Sequence, residues 1–282
     1  MKPPPFDYIR VHSEQECLEV LAEVGDEAKI LAGGQSLMPI LAMRLARPSV
    51  LIDINRLPGR SYIDAADDEV RIGSLTRHAD LARQTSSPLL AEAAGWIGHP
   101  AIRTRGTIGG SIAHADPSAE FPLVLTALEG RVKVVGARGI REIAASELFV
   151  STMETVLDGE LIVEVRLPVT EAWGFAEFSR RHGDFGLVSV AAAVVGGNWR
   201  VALGGVAATP HRARAVEALL DGGALDEARI RAAAKEAAAD IAPTGDLHAT
   251  AEYKMALAVE FTERAIRSAI ASSTRVVAGG GI

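Results

Sequence analysis

Lys29-Ile30-Leu31-Ala32-Gly33-Gly34-Gln35-Ser36-Leu37 is a short apolar run that ends in a glycine pair and small polar side chains. Thr107-Ile108-Gly109-Gly110-Ser111 repeats the design further along the chain. Glycine accepts positive φ and has no Cβ, so a glycine pair lets the backbone turn sharply and press its N–H groups against a ligand. Consecutive N–H groups in such a turn form an anion-binding concavity suited to a phosphate or pyrophosphate. One glycine pair is an ordinary turn; two of one design point to a shared ligand. The first loop leads into an expected helix over 38–45 with Pro39 near its first turn, and its N-terminus would add partial positive charge at the same anion. Neither stretch is a Rossmann fingerprint or a P-loop. The spacing reads as a dinucleotide or phosphate cradle of another kind.

The flanking pattern is that of an α/β chain. Residues 3–11 read as an entry strand, and Ser13-Glu14-Gln15-Glu16 as a capping box opening a helix with Cys17, Leu18, Leu21 and Val24 on its apolar face. Gly25 ends that helix, 29–31 is a strand into the first loop, and 50–54 is the next strand. A second unit over 60–168 holds a strand at 69–74, a helix capped by Thr76, and a helix over 88–96. An irregular connector over 98–105 then leads to the second glycine loop, a helix over 121–128, and strands at 131–135 and 160–167. Beyond Pro168, three antiparallel strands (174–181, 187–195, 200–206) precede helices over 211–220, 225–238 and 249–272, an α+β arrangement. The tail over 278–282 is expected to fray. Domains are expected at 1–55, 56–168 and 169–282.

Composition excludes several functions. A formal net charge of −7 over 282 residues argues against a nucleic-acid or anionic-membrane surface. No apolar run reaches the roughly 18 residues of a membrane span. Met1-Lys2-Pro3-Pro4-Pro5 lacks a hydrophobic signal core, so a cytoplasmic location is expected. The one cysteine, Cys17, reads as a buried structural thiol. It can form no internal disulfide and cannot hold an iron–sulfur cluster, which needs about four cysteines. His78, His99, His182, His211 and His248 show no ligand spacing, so no metal site is expected. His114 and Asp116 suggest a catalytic pair, but Asp116-Pro117 favours a turn and the two are expected to fix local backbone.

Ala32-Gly33-Gly34-Gln35-Ser36-Leu37 and Thr107-Ile108-Gly109-Gly110-Ser111-Ile112-Ala113-His114-Ala115-Asp116-Pro117 resemble the two FAD loops of the flavin-binding medium subunit of molybdenum hydroxylases. That family includes carbon monoxide dehydrogenase, xanthine dehydrogenase and bacterial N-heteroaromatic and aldehyde oxidoreductases. The likeness continues through Leu51-Ile52-Asp53-Ile54-Asn55-Arg56, Arg180-Arg181-His182-Gly183-Asp184-Phe185 and Thr209-Pro210-His211-Arg212-Ala213, in the family's order. It implies an α+β chain of the vanillyl-alcohol-oxidase (PCMH) type. FAD would lie between two α/β subdomains, covered by a C-terminal domain of a small antiparallel sheet with helices.

The resemblance also assigns residues. The backbone of Ala32, Gly33, Gly34, Gln35, Ser36 and Leu37 would hold the pyrophosphate, with Ser36 donating its hydroxyl, and Leu31 would join the cofactor-binding residues. Thr107, Gly109, Gly110 and Ser111 would hold the pyrophosphate and ribityl side. Gln35 stands where many relatives carry histidine, and it cannot titrate. Glu120 stands where several relatives place an aspartate against FAD. Ile97, Ile102 and Leu161 would offer apolar contacts, and Asp184 and Phe185 would lie near the isoalloxazine. No catalytic side chain is implied.

The function implied is that of the FAD-binding electron-transfer subunit of a heterotrimeric molybdenum hydroxylase, assembled as a dimer of heterotrimers. Electrons would arrive from 2Fe–2S clusters on a small subunit, fed by a molybdenum cofactor on a large one, and leave to an external acceptor. The 180–185 stretch resembles members acting on aromatic, N-heteroaromatic or aldehyde substrates more than the carbon monoxide enzymes. Two alternatives stand beside this. One is a self-contained flavin oxidase of the same fold, for which no substrate-side acid/base pair is visible. The other is a flavin-free docking scaffold, which would have little use for intact glycines.

Overall fold

The first unit consists of β1 (Asp7–Arg10), α1 (Glu14–Val24), β2 (Ala28–Leu31), α2 (Leu37–Ala42) and β3 (Val50–Asp53). The computed structural model describes residues 2–181, 183–239 and 241–279, so His182 and the last three residues of the expected tail lie outside it. The strands form a parallel sheet in the order β1-β3-β2. Central β3 is buried along its length, which is why Val50-Leu51-Ile52 reads as a continuous apolar run. Ser13 Oγ accepts from the Glu16 N–H (3.1 Å), while the Glu16 carboxylate reaches one residue further back than a capping box requires, to the His12 N–H (2.8 Å). Gly25, with φ 64°, ends α1. The loop helix α2 is shorter than expected: Arg44 takes φ 61° and the Leu45 N–H returns to the Ile40 carbonyl (3.1 Å).

In the second unit, β4 (Ile63–Ala65) and β5 (Glu69–Gly73) are followed by α3 (His78–Leu81), α4 (Pro88–Trp96), α5 (Pro100–Arg103), α6 (Ile108–His114) and α7 (Glu120–Ala127). Then come β6 (Arg131–Gly136), β7 (Gly139–Ala144), α8 (Ala145–Leu148), the small hairpin β8 (Phe149–Ser151) and β9 (Glu154–Thr155), and β10 (Leu161–Pro168). The large sheet is antiparallel in the order β4-β5-β10-β6-β7, with α7 packed into the core beneath it through Phe121, Leu123 and Leu125. Three local expectations are corrected. Thr76 does not cap α3; its hydroxyl donates to the Tyr62 carbonyl (3.0 Å) and accepts from the Tyr62 N–H (3.1 Å). The connector over 98–105 contains α5. The second glycine stretch is not a loop but the first turn of α6, with Thr107 as its N-cap.

The third unit holds β11 (Ala172–Phe178), β12 (Val188–Val195), β13 (Asn198–Gly204), β14 (His211–Arg212), α9 (Arg214–Asp221), α10 (Glu227–Glu236) and α11 (Ala251–Gly279). Its sheet is antiparallel in that strand order. Alternation decides what each face of β12 meets. Val188, Val190 and Ala192 pack toward Phe261 and Ile266 of α11, while Ala191 and Ala193 join the core of the second unit. Gly174 lets α11 lie directly on β11, since a Cβ there would stand 2.1 Å from the Ala265 carbonyl oxygen. Residues 211 and 212 form a strand, not the start of a helix, and Arg212 is tied to Glu217 (2.9 Å) and to Glu129. No helix among the described residues is long and apolar enough to cross a membrane.

Candidate functional site

The three units surround a cleft of ≈ 780 Å³. One wall is the turn after β2. The backbone N–H groups of Gly33, Gly34, Gln35, Ser36 and Leu37 donate to no acceptor among the described residues, so five consecutive donors are left for a ligand. Gly34 has φ 72°, and Gly33 lies so close to the next unit that a Cβ would stand 2.4 Å from the Arg105 carbonyl oxygen. The Gln35 side chain donates to the Gly33 carbonyl (3.0 Å), which braces the turn. Because α2 has only six residues, the donors rather than a long helix dipole are what this wall offers an anion.

The turn is clamped from behind. Asn55 donates through Nδ2 to the Ala32 carbonyl (2.7 Å) and to Asp53 Oδ1 (2.7 Å), which also accepts the Asn55 N–H (2.9 Å). Arg77 donates to Asn55 Oδ1 (2.8 Å) and to the Arg105 carbonyl, the same oxygen that faces Gly33. Burial pushes the Asp53 carboxyl up, but hydrogen bonds from Tyr8, Asn55 and Arg10 outweigh it and hold the group at about 2. The clamp is therefore charged at neutral pH and joins the first unit to the second.

The opposite wall is α6, and its donors are already used. Ile108 N–H donates to the Thr76 carbonyl (3.1 Å), Gly109 to Ser74 (2.9 Å), Gly110 to Thr107 Oγ1 (3.2 Å) and Ser111 to the Thr107 carbonyl (3.0 Å). The expectation of a second N–H cradle is thus corrected. The second glycine pair allows close packing: a Cβ on Gly109 would meet Ser74 Cβ at 2.7 Å, and one on Gly110 would meet Thr107 Oγ1 at 2.8 Å. Thr107, Gly109, Gly110 and Ser111 line the cleft, where the Ser111 hydroxyl is their polar offering.

Glu120, the first residue of α7, closes the floor between apolar Ile97, Ile102 and Leu161. Burial first, then the charge of Asp116, pushes its carboxyl up to about 7 against the pull of its own backbone N–H. Asp184 and Phe185 lie at the far rim on a turn held by Gly183, whose φ is 89° and whose Cβ position would be 2.5 Å from the His99 ring. Phe185 is 72% exposed, so it plugs no domain boundary. Of the seventeen residues assigned by resemblance, Leu31 alone is not brought to the cleft; its side chain lies beneath Gly34.

The cleft also contains residues that sequence reasoning missed. His78 is buried edge-on to Phe121 (4.8 Å), and burial lowers its ring to about 4, so it is neutral. Glu160 is gripped in bidentate fashion by Arg141 (2.7 Å each). A lone histidine and a strand-end glutamate carry no local signal. His114 and Asp116 line the cleft too, and Asp116 accepts the Ser118 N–H (2.9 Å) in the turn expected of it. Cys17 is buried in the first unit, and burial pushes its thiol up to about 11, where it is inert.

A cleft of this size with five free donors at one wall, an apolar floor and a rim aromatic fits a dinucleotide carrying a flat ring. Residues 4–170 match the family described as the FAD binding domain in molybdopterin dehydrogenase, and residues 173–269 the CO dehydrogenase flavoprotein C-terminal domain. The 6-hydroxypseudooxynicotine dehydrogenase complex subunit alpha of Paenarthrobacter nicotinovorans is 43% identical, with 96% of each chain covered. The nicotine 6-hydroxylase medium subunit of the same organism is 39% identical, covering 94% of this chain and 98% of its own. Among solved structures, a chain of the carbon monoxide dehydrogenase of Hydrogenophaga pseudoflava superposes with a TM-score of 0.92 at 38% identity, covering 96% of this chain and 99% of that one.

Proposed function

We propose, from the premise that this chain belongs to the FAD-binding medium subunits of the molybdenum hydroxylases, that it is the electron-output arm of a heterotrimeric complex. It is an oxidoreductase subunit of the PCMH-type flavoprotein fold, and its cofactor is FAD. Its partners are a small subunit with 2Fe–2S clusters and a large subunit with the molybdenum cofactor, two such heterotrimers forming the assembly. Electrons reach this chain from the small subunit and leave to an external acceptor. Relatives named for nicotine and 6-hydroxypseudooxynicotine support a nitrogen-heterocyclic or related substrate, chosen on the large subunit.

FAD supplies the redox chemistry; the chain supplies placement and electrostatics. The N–H row from Gly33 to Leu37 carries this reading, because it binds a pyrophosphate without needing a cation. Asn55 and Arg77 keep that row in register with the second unit. Ser111 and Thr107 face the same ligand from α6, Glu120 sits at the floor, and Asp184 and Phe185 cover the ring at the rim. The division at about 55 and 168 follows this use: two units cradle the cofactor and the third closes over it.

The test is the composition of the native complex. Acid extraction should release FAD in equal number to this chain, with large and small subunits co-purifying with molybdenum and iron. FMN alone, or no flavin, would overturn the assignment.

A further inference from the structure

Glu177 is a buried acid that the cofactor site does not explain. It lies on β11, 5% exposed, and neither carboxyl oxygen has a hydrogen-bond partner among the described residues. Across the ladder it pairs with Ser189 of β12, whose buried hydroxyl also has none. Folds tolerate few such groups, and a carboxyl in that state keeps its proton.

Its neighbours place it directly behind the cleft. Gly186, next in sequence to Phe185, closes over the carboxyl, so that a Cβ there would stand 2.9 Å from Glu177 Cδ. On the other side, a Cβ on Gly204 would be 2.7 Å from Ser189 Oγ and 3.3 Å from the Pro117 carbonyl oxygen. The Gly205 N–H donates to that same oxygen (2.8 Å). Pro117 belongs to the turn that delivers Glu120 to the cleft. Glu120 and Glu177 thus lie on either side of the 117–120 turn, near enough for the charge of one to act on the other.

Two neighbouring buried carboxyls cannot both ionise at neutral pH. Burial, then the charge of Glu120, pushes Glu177 up to about 9, while Glu120 stands at about 7. The other titratable groups of the cleft walls are His78 on α3, His114 and Asp116 at the end of α6, Asp158 and Glu160 before β10, Asp184 at the rim, and Asp26 and Lys29 at the far end. Of these, Asp116 acts on the pair through its charge, His78 is neutral, and Glu160 is held by Arg141.

We propose that Glu120 and Glu177 form a proton-exchanging pair for the bound cofactor, Glu120 facing it and Glu177 acting from behind as the positioning residue that holds a reserve proton. The inference rests on FAD occupying this cleft. When two electrons arrive from an iron–sulfur donor, the Glu120 O–H bond breaks and an N–H bond forms on the isoalloxazine. Glu177 then passes its own proton to Glu120 and is left as the carboxylate. When the electron pair leaves to the acceptor, the N–H proton passes to Glu120 as Glu120 hands its own back to Glu177, so both carboxyls end as they began.

The test uses the wild-type complex and the near-isosteric variants Glu120→Gln and Glu177→Gln. FAD content is measured first; a wild-type complex without FAD would sink the functional reading itself. With FAD present, the flavin midpoint potential is followed against pH in a mediated reductive titration. The wild-type curve should show two breaks above the usual carboxylate range, one for each carboxyl. Glu177→Gln should lose the upper break and keep the lower, and Glu120→Gln should lose the lower. Breaks unchanged in both variants would overturn the pair. Infrared spectra of the FAD-free wild-type chain give a second reading that needs no variant: a protonated carboxyl band, shifted in D2O, should persist at neutral pH. Its absence would also overturn the proposal.

Discussion

Phe185 shows how much a residue's setting adds to its identity. An aromatic beside Asp184 reads equally as a flavin cover or a boundary plug, and only its 72% exposure separates the two. Phe185→Ala should therefore change stability by no more than about 0.5 kcal/mol, as for a surface substitution, yet alter the flavin absorption band and its reoxidation rate. Melting temperature and flavin half-reaction on one sample decide it; an unaltered flavin would remove the covering role. Asp53 makes the opposite case, since its importance lies in what it holds. Asp53→Ala leaves the Asn55 N–H groups without their acceptor and should cost about 1–3 kcal/mol, and it should loosen FAD as well. Because Asp53 sits at about 2, below its ordinary 3.8, its contribution is present above 3.8 and lost as pH falls toward 2. Urea melts of both proteins should therefore converge in acid and diverge at neutral pH. The glycine pair at 33 and 34 was legible because a backbone demand shows as a residue type. Glu177 was not, because its meaning comes from burial and missing partners, which no local pattern encodes.

Among the elements, the strongly patterned ones were legible: β3 by its apolar run, α1 by its cap and α4 by its leading proline. β4 and β7 were not, being short or exposed edge strands with few buried residues. α6 was misread because glycines argue against helix on propensity alone, while Thr107 as N-cap and close packing on Ser74 override that preference. β11 carries a consequence for stability. Its Glu177 keeps a proton that the unfolded chain has lost above its ordinary 4.5, so stability should fall as pH rises from there toward about 9. Thermal melts of the FAD-free chain across that range should show the decline, and Glu177→Gln should flatten it. An equal slope in both would mean that the carboxyl is not held protonated.

On the scale of the whole molecule, the fold follows from three sheets that each leave one side of a shared cleft. The order of motifs along the chain made the family legible, because the quoted stretches at 32–37, 51–56, 107–117 and 180–185 each contribute residues to that cleft, while the one at 209–213 lies away from it in β14. The clamp from Asp53 through Asn55 and Arg77 to the Arg105 carbonyl was invisible, since Asn55, Arg77 and Arg105 are far apart in sequence and meet only when the first two units dock. The same docking makes Gly33 indispensable: a side chain there would drive into the Arg105 carbonyl and force the two cradling units apart. Titration of the FAD-free full-length chain with FAD, FMN and ADP, in wild type and Gly33→Val, tests this account most directly. FAD should bind one to one, ADP should compete through its pyrophosphate, FMN should bind far more weakly, and Gly33→Val should lose FAD and ADP together. FMN binding as tightly as FAD, or a Gly33→Val chain that takes up FAD as the wild type does, would contradict it.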